Sequence, residues 1–128
     1  MSSYPDNLRY TKDHEWVRLD ADGATATVGI TSFAAHELGD IVYVTLPGAG
    51  THFDAEQSFG TVEAVKTVSD LFMPVAGTIA EVNAELDANP QYVNEDPYGQ
   101  GWMVKVTLDD PASVNDLMDA KAYAAHAG

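Results

Sequence analysis

The chain has 128 residues but no cysteine, only six lysine and arginine residues, and no apolar run that approaches the length of a membrane span. Without cysteine there is no disulfide, no thiolate metal ligand and no cysteine nucleophile. The six cations are scattered along the chain, whereas nucleic acid and anionic membranes require clustered ones. Twenty aspartate and glutamate residues bring the formal charge to −14. We therefore expect neither nucleic acid nor a membrane among the partners.

Size and composition indicate a compact protein. A mass of 13.7 kDa with 45% hydrophobic residues suits one domain, 1–128, with a core of its own. Residues 1–7 have neither the basic nor the apolar region of a secretion signal, which predicts a cytoplasmic protein. Aspartate outnumbers glutamate and lysine is scarce. Adaptation to a salty cytosol and the compositional bias of a genome both explain that pattern.

Short strands dominate the sequence pattern. Thr25 and Thr27 alternate with apolar residues, which predicts a half-buried strand over 24–30. Polar residues 83–101, rich in Asn, Pro and Gly, predict a long ordered loop with one helical turn. Apolar segments bounded by turn residues predict the other strands, at 16–19, 41–46, 59–65, 67–71, 73–82 and 102–108.

Two helices are predicted among these strands. Thr31 or Ser32 can cap a short helix near 32–38, with Gly39 as its C-terminal stop. An Asp-Pro pair opens a second helix near 111–125, in which apolar residues recur at helical spacing. The fold is therefore expected to be mainly β, with one short helix inside it and one helix at its C-terminal end.

Standard catalytic and cofactor motifs are absent from the sequence. His36-Glu37 lacks the second histidine of a zinc-protease motif, and Gly48-Ala49-Gly50 lacks the third glycine of a dinucleotide-binding turn. The four histidines fall in four separate elements without ligand spacing, which favours surface or capping roles over a metal site. An enzyme built on scattered histidines and aspartates is therefore the least favoured hypothesis.

Lys66 is the one residue whose surroundings indicate chemistry. It lies midway between two strands that fold back on each other, so its side chain is expected to project from a hairpin tip. A lysine at such a tip is usually only a solvated surface residue. Here Glu63 three residues before it and Asp70 four residues after it place carboxylates around a lone cation. A modifying enzyme can recognise such a lysine by these neighbours.

The segment 73–79 that follows resembles the attachment site of biotinyl and lipoyl carrier domains, where a hairpin presents one lysine and a Pro-x-x-Gly-x-Ile strand follows. Val65 and Thr67 stand where biotinyl domains have methionine, which favours lipoate. The chain as a whole resembles the H-protein family of the glycine cleavage system. The resemblance runs from about residue 8 to residue 123, and the segments that carry it are 10–17, 28–31, 38–42, 59–66 and 94–103.

The resemblance implies a barrel-sandwich hybrid of the lipoyl/biotinyl type, with a lipoyl-like core at about 24–108 and a C-terminal helical extension over 110–126. It implies lipoate bound covalently to Lys66, on an arm that reaches roughly 14 Å from the backbone. The carrier would take an aminomethyl group from a glycine decarboxylase to an aminomethyltransferase, and a dihydrolipoamide dehydrogenase would reoxidise the arm. The carrier itself would catalyse none of these steps, and we expect it to be a monomer.

Family members hold the loaded arm in a surface groove that limits access of water. By resemblance, the groove involves the His14-Glu15-Trp16 segment, the helix near 33–38 and Asp70, whose carboxylate would pair with the amine of the adduct. Glu63 matches the family's acidic residue near the lysine. We expect Glu63, together with Asp70, to serve recognition by the lipoylating enzyme.

Several positions depart from the family pattern. Ala64 and Thr67 replace the small residues that usually flank the lysine motif, so the lipoylating enzyme must tolerate a β-branched neighbour. Asp13 and Glu37 stand where some members have serine and histidine. The groove, to which we assign both residues, is therefore expected to be more acidic here.

Two alternatives to the glycine cleavage carrier remain open from the sequence. One is an H-like relay protein that donates lipoyl groups or serves other redox partners on the same scaffold. The other is an unmodified β-sandwich interaction module in which the lysine at the hairpin tip is incidental. Both use the same fold, so the sequence pattern alone does not separate them from the carrier.

Overall fold

The computed structural model describes residues 4–127, so residues 1–3 and 128 of the predicted domain lie outside the description. Nine antiparallel strands within this range form two sheets. In chain order they are β1 (Arg9–Tyr10), β2 (Glu15–Leu19), β3 (Thr25–Ile30), β4 (Ile41–Thr45), β5 (His52–Phe53), β6 (Ser58–Ala64), β7 (Val68–Phe72), β8 (Gly77–Val82) and β9 (Val104–Leu108). The mainly β sandwich expected from the sequence is confirmed.

The two sheets differ in size and face each other across one core. The larger has the order β1-β2-β3-β9-β8-β5, and the smaller has the order β4-β6-β7. Inward side chains of both sheets, such as Val28 and Ile79 from the larger and Val62 and Leu71 from the smaller, form one buried cluster. Each such side chain contributes about 1.5–3 kcal/mol by leaving water. This core fixes the small sheet, and with it the lysine hairpin, against the large one.

A second buried cluster covers the outer face of the large sheet. Trp16 precedes an inward-facing valine on β2, so its side chain points the other way and packs in a cluster with Tyr10 and Tyr123. Its indole N–H donates to the backbone oxygen of Pro97 at 2.9 Å. Gly29 lies directly opposite Trp16 in the ladder, and a Cβ there would come within 2.8 Å of the indole ring. Glycine is therefore required at that position.

The helices differ from the sequence prediction in two places. The first, α1 (Ser32–Leu38), is capped by Thr31 and ends at Gly39 as predicted. The loop over 83–101 contains two short helices, α2 (Glu85–Ala88) and α3 (Tyr92–Glu95), rather than one helical turn.

The prediction of a single C-terminal helix over 111–125 was wrong. The chain forms a 3₁₀ helix, Pro111–Asp116, and then a separate α-helix, α4 (Ala120–Ala127). Between them Met118 pairs with Tyr10 through backbone hydrogen bonds of 2.8 and 3.0 Å. Pairing with β1 requires an extended backbone, so the tertiary contact interrupts the helical pattern that the sequence carries.

Helix α4 is anchored by a short chain of hydrogen bonds. The Tyr123 hydroxyl lies 2.7 Å from His14 Nδ1 and 2.8 Å from the Thr31 hydroxyl. Thr31 also accepts from the Ala34 N–H at the start of α1. The network thus joins the C-terminal helix to the turn before β2 and to the cap of α1.

We predict that Tyr123→Phe lowers the free energy of unfolding by about 1–2 kcal/mol, because it leaves two polar groups without their shared partner. Chemical denaturation measures the change. Tyr92→Phe removes a hydroxyl outside this network and is the matched control. Equal stability of the two variants would contradict a stabilising role for the network.

Candidate functional site

Lys66 occupies the tip of the hairpin formed by β6 and β7, where it is exposed. The Ala64 N–H donates to the Thr67 oxygen at 2.8 Å, which closes the turn. The Val65 N–H donates to the Asp40 oxygen at 3.1 Å, which ties the tip to the segment between α1 and β4. The hairpin tip predicted from the sequence is confirmed. Backbone hydrogen bonds at Ala64 and Val65 fix the turn on which the lysine lies.

The lysine side chain passes over the C-terminal end of α1. A Cβ on Gly39 would lie 3.5 Å from Lys66 Cε, and Gly39 has φ +83, in the left-handed region that glycine tolerates. Glycine is thus required here for the backbone conformation, and the lysine stem lies at ordinary contact distance above it. No salt bridge within residues 4–127 involves the Lys66 amine, which leaves it accessible for modification.

Asn94 holds the segment beneath the lysine, a role that the sequence did not reveal. Its side-chain oxygen accepts from the Ile41 N–H at 2.9 Å, and its amide donates to the Gly39 oxygen at 2.8 Å. One side chain from α3 therefore fixes both the end of α1 and the start of β4. The residues are more than fifty positions apart, so no local pattern could connect them.

A cavity of about 470 Å³ opens beside this segment. Helix α1, the loop after it and the region of α3 line it, and it meets the lysine stem at Gly39. Its lining is mostly polar, with Ser32, His36, Asp40 and Asn94 among the side chains. Glu37, predicted to face the arm groove, lies on the exposed side of α1 and is not among the lining residues.

Glu15 lies at the other end of the hairpin, where it joins the two sheets. It is 2% exposed and belongs to β2 of the large sheet. Its Oε2 accepts from the Phe72 N–H of β7 at 2.8 Å, and its Oε1 accepts from the Thr11 hydroxyl at 3.1 Å. Burial raises the pKa of this carboxyl to about 8, although both hydrogen bonds act in the opposite direction.

An acidic cavity of about 210 Å³ lies next to Glu15. Asp13 and Asp116 also line it, as do Lys12 and Glu56, which form a salt bridge of 2.8 Å with each other. Because this pair is internally neutral and the raised pKa keeps Glu15 largely protonated near neutral pH, the negative potential of the cavity comes from Asp13 and Asp116. It can therefore receive a small cationic group such as an amine.

Three other residues predicted for the groove lie outside this cavity. His14, at φ +66, is half-buried against Phe33, with ring centres 4.7 Å apart. Burial, together with nearby His126, lowers its pKa. Asp70 is exposed on β7, opposite Thr61 of β6. The structure thus brings Asp13 and Glu15 together at the acidic cavity. The other predicted groove residues, His14, Glu37 and Asp70, do not line this cavity.

Comparison with known proteins identifies the family of this arrangement. A family model described as "Glycine cleavage H-protein" matches residues 8–127. The chain belongs to this family. The glycine cleavage system H protein of Chlorobium limicola is 64% identical over 121 residues, which cover 94% of each chain. That of Salinibacter ruber is 58% identical over 120 residues, covering 94% of this chain and 95% of the relative.

A solved structure of an H-protein family member shows the same fold. The crystal structure of a glycine cleavage system H protein from Mycobacterium marinum aligns with a TM-score of 0.87 and 40% sequence identity. The alignment covers 95% of this chain and 97% of that chain. The family and the carrier role predicted from the sequence are therefore confirmed. The comparisons give no support to the relay protein or to the unmodified interaction module.

Neither a helix able to span a membrane nor a metal cluster occurs in the part of this H-protein that the structure describes. No helix within residues 4–127 is long and apolar enough to cross a membrane. Over the same residues, no group of three or more histidine, aspartate or glutamate side chains is placed to hold a metal ion.

We predict that Glu15 makes the stability of the protein fall as pH rises. Its carboxyl has a pKa of about 8 when folded against 4.5 in the reference state, so the folded form binds more protons between these values. The free energy of unfolding should therefore decrease by up to about 1.4 kcal/mol per pH unit across this window. Denaturation curves measured from pH 4.5 to 8 test this slope.

Glu15→Gln should flatten that slope, because the amide does not titrate. Glu81→Gln changes an exposed carboxyl on β8 and should leave the slope as in the wild type. Identical pH profiles for the wild type and Glu15→Gln would contradict the raised pKa.

Proposed function

We propose that this chain carries lipoate in amide linkage to Nζ of Lys66 and serves as the mobile substrate carrier of the glycine cleavage system. The observation that carries the proposal is the exposed lysine on a turn whose backbone is fixed at Ala64 and Val65. A prosthetic group on a swinging arm requires a rigid base and an unobstructed attachment point. Gly39 contributes by ending α1 in a left-handed conformation directly beside the lysine stem.

The chemistry that lipoate supplies when attached is a disulfide that accepts an aminomethyl group and electrons and passes them on. The partners we propose are glycine decarboxylase, aminomethyltransferase and dihydrolipoamide dehydrogenase, together with a lipoylating enzyme. The carrier catalyses none of their reactions. Its cytoplasmic location and monomeric state stay predictions from the sequence.

The acidic residues along the hairpin suit the charge of an aminomethyl group. Asp70 lies four residues after Lys66 in the chain, so the two are at most about 13 Å apart even in an extended backbone, which is within the reach of roughly 14 Å for a lipoyl-lysine side chain. The acidic cavity at Glu15 adjoins the end of the same strand at Phe72. We infer that the Asp70 carboxylate pairs with the amine, and that Asp13 and the buried, largely protonated Glu15 line the cavity beyond it and limit access of water.

Glu63, His14 and Glu37 receive different proposed roles. Glu63 is exposed on β6 and lies opposite Val68, next to the turn, which supports its role in recognition by the lipoylating enzyme. His14 and Glu37 border the region between the turn before β2 and α1, where we propose that they form the outer wall of the groove. We assign the contact with the amine to Asp70 rather than to these two residues, because Asp70 lies on the lysine hairpin itself.

Lys66→Arg should abolish glycine decarboxylation in a system reconstituted with purified glycine decarboxylase, because the guanidinium does not form the lipoyl amide. Lys121→Arg, made on α4 and treated identically, should retain the wild-type rate. Release of carbon dioxide from labelled glycine provides the measurement. Wild-type activity in Lys66→Arg would contradict the proposed attachment site.

Asp70→Asn should make the aminomethyl-loaded form decay about fivefold faster, which corresponds to the loss of one exposed charge pair of about 1 kcal/mol. Release of ammonia or formaldehyde from the isolated loaded protein follows the decay. Glu81→Gln, on the other sheet, is the control for a general change in charge. If Asp70→Asn decays at the wild-type rate, Asp70 does not hold the amine.

A further inference from the structure

An apolar surface surrounds the lysine hairpin. Of the five large hydrophobic residues that are exposed within residues 4–127, four lie near Lys66 and only Leu19 lies elsewhere. The four are Val42, Tyr43, Val65 and Val68, with exposures of 47%, 53%, 76% and 59%. Single exposed apolar residues are common, but a contiguous group beside a modification site indicates a binding surface.

The register of the small sheet shows which of these side chains are neighbours. Tyr43 of β4 is opposite Glu63 of β6, which is opposite Val68 of β7. Directly opposed side chains have their Cβ atoms about 4.5–5.5 Å apart, so these three form a continuous row across the sheet. An irregularity in the β4 ladder between Ile41 and Tyr43 leaves Val42 exposed beside that row. We call Val42, Tyr43, Val65, Val68 and Glu63 the hairpin face.

The negative charge of the hairpin face indicates that its partner is a protein surface with a basic residue. Glu63 lies at its centre, and Asp70 lies in the next row, opposite Thr61. Neither carboxylate takes part in a salt bridge within the described part of the chain. The strands of the small sheet contain no lysine or arginine. A complementary protein surface therefore presents an apolar depression together with an arginine or lysine aimed at Glu63.

The position of the hairpin face indicates which partner uses it. An enzyme that acylates Lys66 must bring its activated carbonyl carbon into bonding distance of Nζ, so its surface meets the side chains around the turn. Enzymes that act on the end of the attached arm work roughly 14 Å farther from the backbone. The enzyme that acylates Lys66 must therefore contact the hairpin face. The enzymes that act on the end of the arm carry out their reactions away from it.

We propose that the hairpin face is the docking surface for the lipoate-attaching enzyme and that Tyr43, on a strand outside the hairpin, is a specificity-determining contact. This inference rests on the proposed function of Lys66. In the reaction, the neutral ε-amine attacks the carbonyl carbon of a lipoyl adenylate and forms the amide C–N bond. The C–O bond to phosphate breaks, AMP leaves, and the amine loses one proton to solvent or base. No oxidant or reductant is required.

The test compares unmodified full-length variants as substrates for a purified ATP-dependent lipoate–protein ligase. Tyr43→Ser and Val68→Ser should each lower kcat/KM for lipoylation about tenfold, as expected for an apolar anchor of a protein interface. Leu19→Ser removes a similarly exposed apolar side chain from the large sheet and should stay within about twofold of the wild type. Intact-mass spectrometry measures the rate.

Further measurements distinguish docking from an effect on turnover, on the later reactions of the arm or on self-association. Titration of each unmodified variant into ligase loaded with a non-hydrolysable lipoyl adenylate analogue should show weaker binding for Tyr43→Ser and Val68→Ser, independent of turnover. Variants driven to complete lipoylation at high ligase concentration should then support glycine decarboxylation at the wild-type rate. Sedimentation of the wild type and Tyr43→Ser shows whether the face instead binds a second copy of the chain.

The outcomes distinguish this inference from the proposed function. If wild-type Lys66 is not lipoylated at all, the proposed function fails and the inference fails with it. If the wild type and Tyr43→Ser are lipoylated at equal rates, only the inference is overturned. It is also overturned if lipoylated variants lose decarboxylation as strongly as lipoylation, or if Tyr43→Ser abolishes a dimer present in the wild type.

Discussion

The hydrogen bond from the Phe72 N–H to the Glu15 carboxyl is the contact on which the placement of the site depends. β7 is an edge strand of the small sheet, so its outer N–H groups would otherwise face water or remain unpaired. A buried carboxyl from β2 pairs with one of them and joins the two sheets at the base of the hairpin. Burying this acid is costly, as its raised pKa shows. The same burial gives the acidic cavity its deepest carboxyl group.

The tip of the hairpin is held by a separate set of contacts. Asn94 fixes the backbone at Gly39 and Ile41, and Asp40 between them accepts from Val65 beside the lysine. The hairpin is thus positioned at both ends by residues from other parts of the chain. Such a rigid base allows the side chain alone to supply the movement that a carrier requires.

The parts that the sequence predicted are those with local causes. The presence of strand β3, the Thr31 cap of α1 and the glycine at its end could each be inferred from a few neighbouring residues, as could the turn at Lys66. The expected half-burial of β3 was wrong, because five of its six residues, Thr27 among them, are buried. The break between the 3₁₀ helix and α4 could not, because the pairing of Met118 with Tyr10 decides it. Three other features depend on contacts between segments that are far apart in the chain. They are the hydrogen bonds of Asn94, the hydrogen bond from Phe72 to Glu15, and the row of side chains from Tyr43 to Val68. They became visible only when the register of the sheets was known.

Lys66 differs in its surroundings from two other lysines of the chain. Lys12 and Lys105 form salt bridges with Glu56 and Asp20, whereas Lys66 lies exposed on a fixed turn. Peptide mapping by mass spectrometry of protein produced in a lipoate-supplied host tests the attachment site most directly. We expect the lipoyl mass increase on the peptide that contains Lys66 and on no other lysine peptide. An unmodified Lys66, or lipoate on another lysine of the chain, would contradict the proposed role of the hairpin.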